Sequence, residues 1–485
     1  MLITNMTYSY ILRVILVVFL AYGCGQLEEK PKPNILWILA EDLSPDLGCF
    51  GLSQVKTPVL DQLAAEGVRY TNVFTTAGIC TPSRTALAVG MHQTSINAHH
   101  MRYPTEMRNA LPEDILPINE IFRRNGYQTA NIKGDVGTGK TDWSFKSELN
   151  AYDHQSWNEF DQEKPFFAVV NLRLTHRPFE KDEKNPINPN EVKVPPYYPD
   201  HPVARQDWAD YLESAQLMDS QVGEVLQVLE EKGWSENTIV YFFSDHGRPF
   251  TRGKSFLYDS GIEIPLIIKC PSGLRWHDYL PNGSVNDQLL SSLDIVATSL
   301  SMAGIPKPAQ LQGNVFLGEN AEAERDFIYA TADRSGEVFF KSRAVRSNKY
   351  KYIRNYNNGF SINEASTAYR KANHPIYHLL NILAERDEVN EVQRKLIEPL
   401  PEEELYDIIA DSFEIRNLAG EPAFEKELQA MRDRLAEWQK ETTDYGMQED
   451  PEALANAFEV YGKESFEKNE KRILEQRARV LQQLN

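Results

Sequence analysis

Polar side chains follow three predicted buried strands of the chain, at the point where each strand ends. Glu41 and Asp42 end the first apolar run, His176 follows a second, and Asp245-His246 ends a third. In an open parallel sheet, ligands bind beyond the carboxyl ends of the strands, so we expect these side chains to share one edge. The pattern therefore predicts that carboxylates and imidazoles collect at one edge of the sheet, together with lysines from the intervening loops.

The pentapeptide Cys80-Thr81-Pro82-Ser83-Arg84 is the most specific motif in the sequence. Cys-x-Pro-Ser-Arg resembles the maturation motif of type I sulfatases, and residues 57–68 and 90–91 resemble the flanks of that motif. The resemblance implies that Cys80 is oxidised to formylglycine by a formylglycine-generating enzyme or an anaerobic sulfatase-maturating enzyme. The hydrated aldehyde would attack sulfur, which splits one hard displacement into two easier steps. The alternative is an unmodified cysteine in a loop bounded by proline.

The same resemblance assigns one Ca²⁺ ion to Glu41, Asp42, residue 80, Asp245 and His246. The cation would offset the charge of the sulfate and lower the cost of forming the nucleophile. Glu41 stands where the family usually has aspartate, and His246 has a second interpretation as a contact to the sulfate. For either pair of residues taken alone, the alternative is a helix cap or a turn.

Further catalytic residues are implied by the resemblance. Arg84 would orient the nucleophile, and Lys140, His176 and Lys254 would bind the sulfate oxygens. His176 or Lys254 would assist the departing sugar oxygen as a general acid. Asp142 stands where the family usually has histidine, so we expect Asp142 or a neighbour to be the base that releases sulfate.

The segment His99-His100-Met101-Arg102 follows the predicted Cys80 helix. Paired imidazoles beside a guanidinium, on a loop near the sheet edge, suit the recognition of sugar hydroxyls or a carboxylate, so we predict substrate contacts at His99, His100 and Arg102. The alternative is a set of exposed loop residues. Residues 349–354 and 374–375 resemble relatives of heparan N-sulfatase, which implies a sulfated glycan as the substrate, O-linked or N-linked.

Three other functions compete with this interpretation. Residues 134–141 fit the phosphate-binding pattern G-x-x-x-x-G-K-[ST], which requires a helix that begins at Lys140. Residues 142–146 lack helical periodicity, which disfavours a nucleotide hydrolase. A phosphonate or phosphate monoester hydrolase of the same superfamily would share the metal and the formylglycine. A non-catalytic glycan-binding protein would keep Cys80 as a thiol.

Alternating strands and helices predict a doubly wound α/β sheet for the first two thirds of the chain. Short apolar runs predict buried strands at residues 34–40, 127–132, 166–172, 238–243 and 265–269. Helical patterns cover residues 59–67, 85–89, 118–124 and 211–232. The resemblance implies the alkaline-phosphatase-like fold, a mixed sheet sandwiched by helices.

After about residue 313, short apolar runs separated by turn residues replace the alternating buried strands and helices. Short runs predict a small antiparallel sheet at residues 327–330, 338–340, 344–346 and 349–354. Residues 402–418 look like a polar connector, residues 424–442 like an amphipathic helix, and residues 451–485 like a solvated charged helix or tail. We divide the chain into a signal peptide (1–24), a catalytic domain (25–320), a smaller C-terminal α+β subdomain (321–447) and a charged helical tail (448–485).

The N-terminus is typical of an exported bacterial protein. Arg13 lies in an otherwise apolar run over residues 11–20, which is followed by Gly23-Cys24 and a polar stretch. This pattern predicts a lipoprotein signal with Cys24 as the lipidated residue, in the periplasm or on the outer membrane. A plain cleaved signal and an uncleaved anchor are the alternatives. A lipid anchor would be the only contact with a membrane.

The net charge limits the classes of binding partner, and the cysteine content limits the number of disulfides. The 485 residues carry a net charge of −19, which argues against nucleic acid as a partner. An anionic substrate would then need a local basic cluster, since the overall field repels it. The four cysteines exclude a disulfide framework, and Cys49 and Cys270 are expected to be buried small side chains.

Overall fold

The computed structural model describes residues 32–102, 107–134, 136–147, 151–357, 359–449 and 451–484, without the side chains of residues 451–458 and 460. The predicted signal peptide and the predicted lipidation of Cys24 lie outside the described residues. Residues 33–485 make one compact unit. Within the described part of the chain, no helix is both long and apolar enough to cross a membrane.

The strands and α-helices are numbered in chain order. The strands are β1 (Asn34–Ala40), β2 (Val68–Tyr70), β3 (Val73–Phe74), β4 (Asn109–Ala110), β5 (Gln128–Gly134), β6 (Gly137–Thr138), β7 (Phe145–Lys146), β8 (Phe166–Leu172), β9 (Thr238–Ser244), β10 (Leu266–Lys269), β11 (Ser284–Asn286), β12 (Leu290–Ser291), β13 (Ile328–Ala332), β14 (Ser342–Arg346), β15 (Tyr350–Asn355) and β16 (Glu403–Asp407). The helices are α1 (Pro58–Ala65), α2 (Cys80–Val89), α3 (Ile118–Arg124), α4 (Pro202–Glu231), α5 (Asp259–Ile262), α6 (Ser292–Met302), α7 (Ala368–Asn373), α8 (Pro375–Glu385), α9 (Glu391–Arg394), α10 (Glu425–Glu441) and α11 (Pro451–Leu484).

An eight-stranded mixed sheet in the order β11-β2-β10-β9-β1-β8-β5-β6 forms the centre of the molecule. Strands β9, β1, β8 and β5 run parallel, and β10 pairs antiparallel with β9. Alternate residues of β1 enter two different hydrophobic cores, with Leu36 and Ile38 on one face and Ile35 and Trp37 on the other. A strand that is apolar on both faces must be covered on both faces, which is why continuous apolar runs correctly predicted the buried strands.

A separate four-stranded antiparallel sheet, β13-β14-β15-β16, lies in the C-terminal region, so the predicted fold class is correct. Its last strand was not predicted, because the strand lies in the segment interpreted as a polar connector. Leu405 packs into the core under α10, whereas Glu404 is buried and accepts hydrogen bonds from Tyr258 and Tyr406. The predicted strand at residues 338–340 is wrong, since Val338 makes only an isolated bridge with Ser335.

Two helices begin earlier than the sequence predicted. Helix α2 begins at Cys80 rather than at Thr85, with Pro82 in its first turn, where a missing N–H costs no helical hydrogen bond. Helix α4 begins at Pro202 rather than at Tyr211, and His201 caps it by accepting from the Val203 N–H.

The C-terminal helix α11 is not a solvated tail. It packs against α7 and α8, and it buries Asn469 and Val480. Tyr461 and Ser465 of the same helix line the cavity described below. The sequence did not predict this packing, because the buried positions of α11 are few and are separated by many charged residues.

The unpredicted strand β16 should be essential for the C-terminal sheet. We expect Leu405→Ala to cost about 2–5 kcal/mol, because it leaves a cavity at a fully buried position. The matched control is Ile409→Ala, since the Ile409 side chain is 75% exposed. Thermal unfolding measures both variants. Equal melting temperatures for the two variants would show that β16 packs less tightly than described.

Candidate active site

The ends of β1 and β9 and the start of α2 meet at one buried point. Strands β1 and β9 are parallel and in register, with Ala40 opposite Ser244, so the residues that follow them lie side by side. The Cys80 Sγ atom lies 3.7 Å from Asp42 Oδ1 and 3.2 Å from His246 Nε2. Asp42, residue 80, Asp245 and His246 are all buried, with ligand atoms within 4.8 Å of one another.

Asp42 has several charged partners in this cluster. Its backbone lies in the left-handed region, with φ of 55°, which turns the chain sharply after the strand. Lys254 Nζ donates to both carboxylate oxygens at 2.8 and 2.6 Å, and His246 Nε2 lies 2.9 Å from Oδ1. The Asp42 N–H donates to Asp245 Oδ1 at 3.0 Å, which fixes the two acids relative to each other.

Electrostatic coupling within the cluster keeps both acids ionised. Burial alone would raise the pKa of Asp42, but the neighbouring charges of Lys254, His176 and His246 hold that pKa well below its usual value. Burial also acts to raise the pKa of Asp245, and His246 and Arg84 lower it. For His246, burial opposes the charge, yet Asp245 and Asp42 raise the pKa to about 10. Paired charges can therefore persist in this dry site.

Arg84 is buried and holds the acidic residues beneath the cavity in place. It donates to Asp245 Oδ2 at 2.9 Å and to Asn171 Oδ1 at 2.6 Å. The third nitrogen, Nη2, lies 3.6 Å from Glu41 Oε1. Arg84 is absent from the cavity wall, so it acts on the site through Asp245 and Glu41.

Lys140 and Asp142 approach the site from the segment after β6. Lys140 Nζ donates to Glu41 Oε2 at 3.0 Å and lies 3.6 Å from Asp142 Oδ2. The segment that matched the phosphate-binding pattern forms the end of β5 and β6, and no helix occurs in the described residues 136–147. The structure therefore removes the basis for a nucleotide hydrolase.

A cavity of about 210 Å³ opens above Cys80. Its wall includes six of the residues that the sequence predicted for the site: Cys80, Arg102, Lys140, Asp142, His176 and Lys254. His176 Nδ1 lies 2.7 Å from the Arg177 carbonyl oxygen, which can only accept, so Nδ1 carries the proton. The other nitrogen, Nε2, lies 4.0 Å from Asp42 Oδ2.

His99 and His100 are not brought into this cavity. Both are buried and face Glu449, whose Oε1 lies 3.2 Å from His99 Nε2 and 2.8 Å from His100 Nε2. Arg102, three residues after His99, does line the cavity and hydrogen-bonds Tyr461. The structure thus separates the members of the predicted substrate-binding group.

Sequence reasoning missed the outer wall of the cavity. That wall comes from the C-terminal region and consists of Ser335, Gly336, Glu337, Thr367, Tyr369, Arg370, Tyr461 and Ser465. These residues lie on a turn and on helices α7 and α11, so no single sequence motif contains them. The nearest signal was the resemblance at residues 374–375, next to α7.

The cluster suits a hard divalent cation. Asp42 and Asp245 offer buried carboxylate oxygens, the ligand type that Ca²⁺ prefers. Glu41 lies beside them, and its buried Oε1 atom has no hydrogen-bond partner among the described residues. A buried carboxylate oxygen that has an ion-pair contact with Arg84 at 3.6 Å but no hydrogen bond, next to two further acids, can take part in holding a cation.

Comparison with known proteins identifies the family. Residues 33–305 match the family model "Sulfatase", and residues 250–403 match "N-sulphoglucosamine sulphohydrolase, C-terminal". The chain belongs to the sulfatase family. This sulfatase is therefore a sulfuric ester hydrolase, and the resemblance seen in the sequence is confirmed.

Relatives and solved structures agree with this assignment. The sulfatase is 34% identical to an "Ulvan-active sulfatase" of Formosa agariphila, over 85% of this chain and 76% of that protein. It is 27% identical to "N-sulphoglucosamine sulphohydrolase" of Homo sapiens, over 87% of this chain and 92% of that protein. The solved structure of a 2-O GAG sulfatase superposes with a TM-score of 0.61 at 20% identity, over 86% of this chain and 94% of that one.

The bracing role of Arg84 is testable. We expect Arg84→Lys to lower turnover of 4-nitrophenyl sulfate roughly tenfold or more, because an ammonium cannot hold Asp245 and Asn171 in one planar fork. The matched control is Arg124→Lys, since the Arg124 side chain is 57% exposed and pairs with Glu120. Turnover of Arg84→Lys equal to that of the control would contradict the role.

Proposed function

We propose that this sulfatase removes sulfate from a sulfated carbohydrate, with a formylglycine made from Cys80 and a bound Ca²⁺ ion. The observation that carries the proposal is the contact of Cys80 with Asp42 and His246, beneath a cavity lined by Lys140 and Lys254. The relatives named for ulvan and for N-sulphoglucosamine support a sulfated glycan as the substrate class.

The metal would be held by Asp42, Asp245, His246 and residue 80, with Glu41 beside them. When bound, Ca²⁺ would neutralise part of the sulfate charge and favour the ionised nucleophile. Formylglycine, once hydrated, would supply the attacking hydroxyl, and a formylglycine-generating or anaerobic sulfatase-maturating enzyme would be the partner that makes it. The remaining chemistry belongs to side chains of the chain itself.

Lys140, Lys254 and His176 would bind the sulfate oxygens. The two ammonium groups line the cavity beside Cys80, and their carboxylate partners hold them in place. Preorganised positive charge of this kind stabilises a transferring anionic group without reorganisation during the reaction. The net charge of −19 makes such a local cluster necessary for an anionic substrate.

Two protons must move in the reaction. His176 Nδ1 is bonded to a carbonyl oxygen, so the departing sugar oxygen would be protonated either by Nε2 of a His176 imidazolium or by the ammonium group of Lys254, which lines the same cavity. Asp142 lines the same cavity, 3.6 Å from Lys140 Nζ, and we assign it as the base for sulfate release. Acid and base would thus come from different segments of the chain.

We also propose that the sulfatase is exported and anchored through a lipidated Cys24. The apolar run over residues 11–20 followed by Gly23-Cys24 supports this location, which would expose the enzyme to extracellular polysaccharide. We expect radiolabelled palmitate to enter the full-length protein and to be absent from Cys24→Ala. Labelling of Cys24→Ala at the wild-type level would contradict the anchor.

The central prediction concerns Cys80. We expect peptide mass spectrometry of the active enzyme to show an aldehyde in place of the Cys80 thiol. We expect Cys80→Ala to release no sulfate from sulfated oligosaccharides while its melting temperature stays close to that of the wild type, since a small buried side chain is replaced by a smaller one.

The controls separate the alternatives. Cys270→Ala removes a buried thiol outside the cavity and should retain activity and Ca²⁺ content. Sulfate release by Cys80→Ala would exclude the mechanism. An unmodified Cys80 with no sulfate release from any substrate would indicate a glycan-binding protein. Faster turnover of aryl phosphate or phosphonate than of aryl sulfate would indicate a phosphonate or phosphate monoester hydrolase.

A further inference from the structure

Arg370 is a buried cation in the wall of the cavity above Cys80. It lies on α7, its side chain is 4% exposed, and it was not part of any sequence motif. Its guanidinium donates to the Ser255 hydroxyl. Among the described residues, no carboxylate lies within ion-pair distance of Arg370.

Several other buried arginines pair with carboxylates. Arg84 pairs with Asp245, Arg177 with Asp207, and Arg343 with Asp333 and Asp444. Burial lowers the pKa of Arg370 to about 10. Burial also acts to lower the pKa values of Arg84 and Arg343, but the neighbouring carboxylates have the larger effect and raise both values. A desolvated guanidinium without an acid is unfavourable, so its presence in a cavity wall suggests a ligand that supplies the missing charge.

Several other charged groups of the cavity already have partners within the protein. Lys254 is held by Asp42, and Lys140 by Glu41, which keeps both ammonium groups close to residue 80. Glu337 accepts from the Ala368 N–H at the start of α7 and from the Ser465 hydroxyl at 3.3 Å. Glu337 therefore caps a helix and contacts α11, and it leaves Arg370 for another anion.

Arg370 belongs to the outer wall of the cavity. The Ser255 hydroxyl that accepts from Arg370 lies 3.2 Å from the Ser335 hydroxyl, and Ser335 begins the turn that forms this wall. Asp42 and Cys80 are still close enough to act on the charge of Arg370. Arg370 and residue 80 line the same cavity of about 210 Å³, so one bound substrate can contact both.

We propose that Arg370 binds a second anionic group of the substrate, a carboxylate or an additional sulfate on the sugar that carries the scissile sulfate or on its neighbour. The proposal rests on the proposed function and specifies its substrate class as polyanionic glycans. The planar guanidinium offers two parallel N–H donors, which match the oxygens of a carboxylate or sulfate. Lys140, His176 and Lys254 already provide contacts for the scissile sulfate.

Matched substrates and variants test the proposal. Arg370→Gln and Arg370→Lys are compared with Lys371→Gln, which removes a charge from the same helix outside the cavity. The substrates are a sulfated uronate disaccharide and its carboxyl-reduced form, glucosamine disulfate and monosulfate, and 4-nitrophenyl sulfate. We expect Arg370→Gln to raise KM for a doubly anionic sugar roughly tenfold or more beyond its effect on the matched singly charged one.

The pattern of losses identifies the anion. If the increase in KM of Arg370→Gln disappears when the carboxyl group of the substrate is reduced, the anion is a carboxylate. If the increase occurs only with the disulfated sugar and not with the monosulfated one, the anion is a sulfate. An equal loss on all substrates, including 4-nitrophenyl sulfate, overturns the proposal, as does no loss at all. Arg370→Gln is also expected to melt at or above the wild-type temperature, because it removes an unpaired buried charge.

A binding measurement separates this inference from the proposed function. Calorimetry of the same sugars with Cys80→Ser and Cys80→Ser/Arg370→Gln needs no turnover. Weaker binding of the doubly anionic sugar to the double variant supports the subsite even if no preparation releases sulfate. Equal binding to both variants overturns the subsite, whatever the activity of the wild type.

Discussion

The structure of the site depends on a buried network in which Asp42 and Asp245 are held against Lys254, Arg84 and His246. Two carboxylates side by side in a dry interior would repel each other and take up protons. Here each acid has its own cationic partner at 2.6 to 2.9 Å, and the backbone of Asp42 donates to Asp245. The floor of the cavity is consequently both charged and rigid.

This network requires distant parts of the chain to meet. Parallel pairing of β1 with β9 places Asp42 beside Asp245, and α2 brings residue 80 to the same point at its N-terminus. The aligned backbone dipoles of α2 favour negative charge at that end, which suits the proposed nucleophile and a sulfate ester. Because both faces of the central strands are packed, a displacement of any one strand would disturb all of these contacts.

The C-terminal region has a different part in the molecule. The central sheet, α2 and the loops that follow β6 and β9 position the proposed catalytic groups, whereas α7, α11 and the turn at Ser335 form the outer wall of the cavity. The wall combines cations with tyrosine rings and hydroxyl groups, which is the mixture expected for polyanionic carbohydrate. Because the wall and the buried cluster come from different parts of the chain, substrate preference can change while the buried cluster stays the same.

Sequence alone determined the central strands, the family and the inner residues of the site. Continuous apolar runs identify strands packed on both faces, and Cys80-Thr81-Pro82-Ser83-Arg84 is a contiguous motif whose residues keep their spacing in any fold. Tertiary structure alone decided the outer wall, the strand Glu403–Asp407 and the separation of His99 and His100 from the cavity. Arg370, Tyr461 and Ser335 are far apart in the chain, so their meeting depends on how the C-terminal helices pack. The burial of Glu404 depends on hydroxyl partners in distant segments, and a local pattern of charges does not reveal such partners.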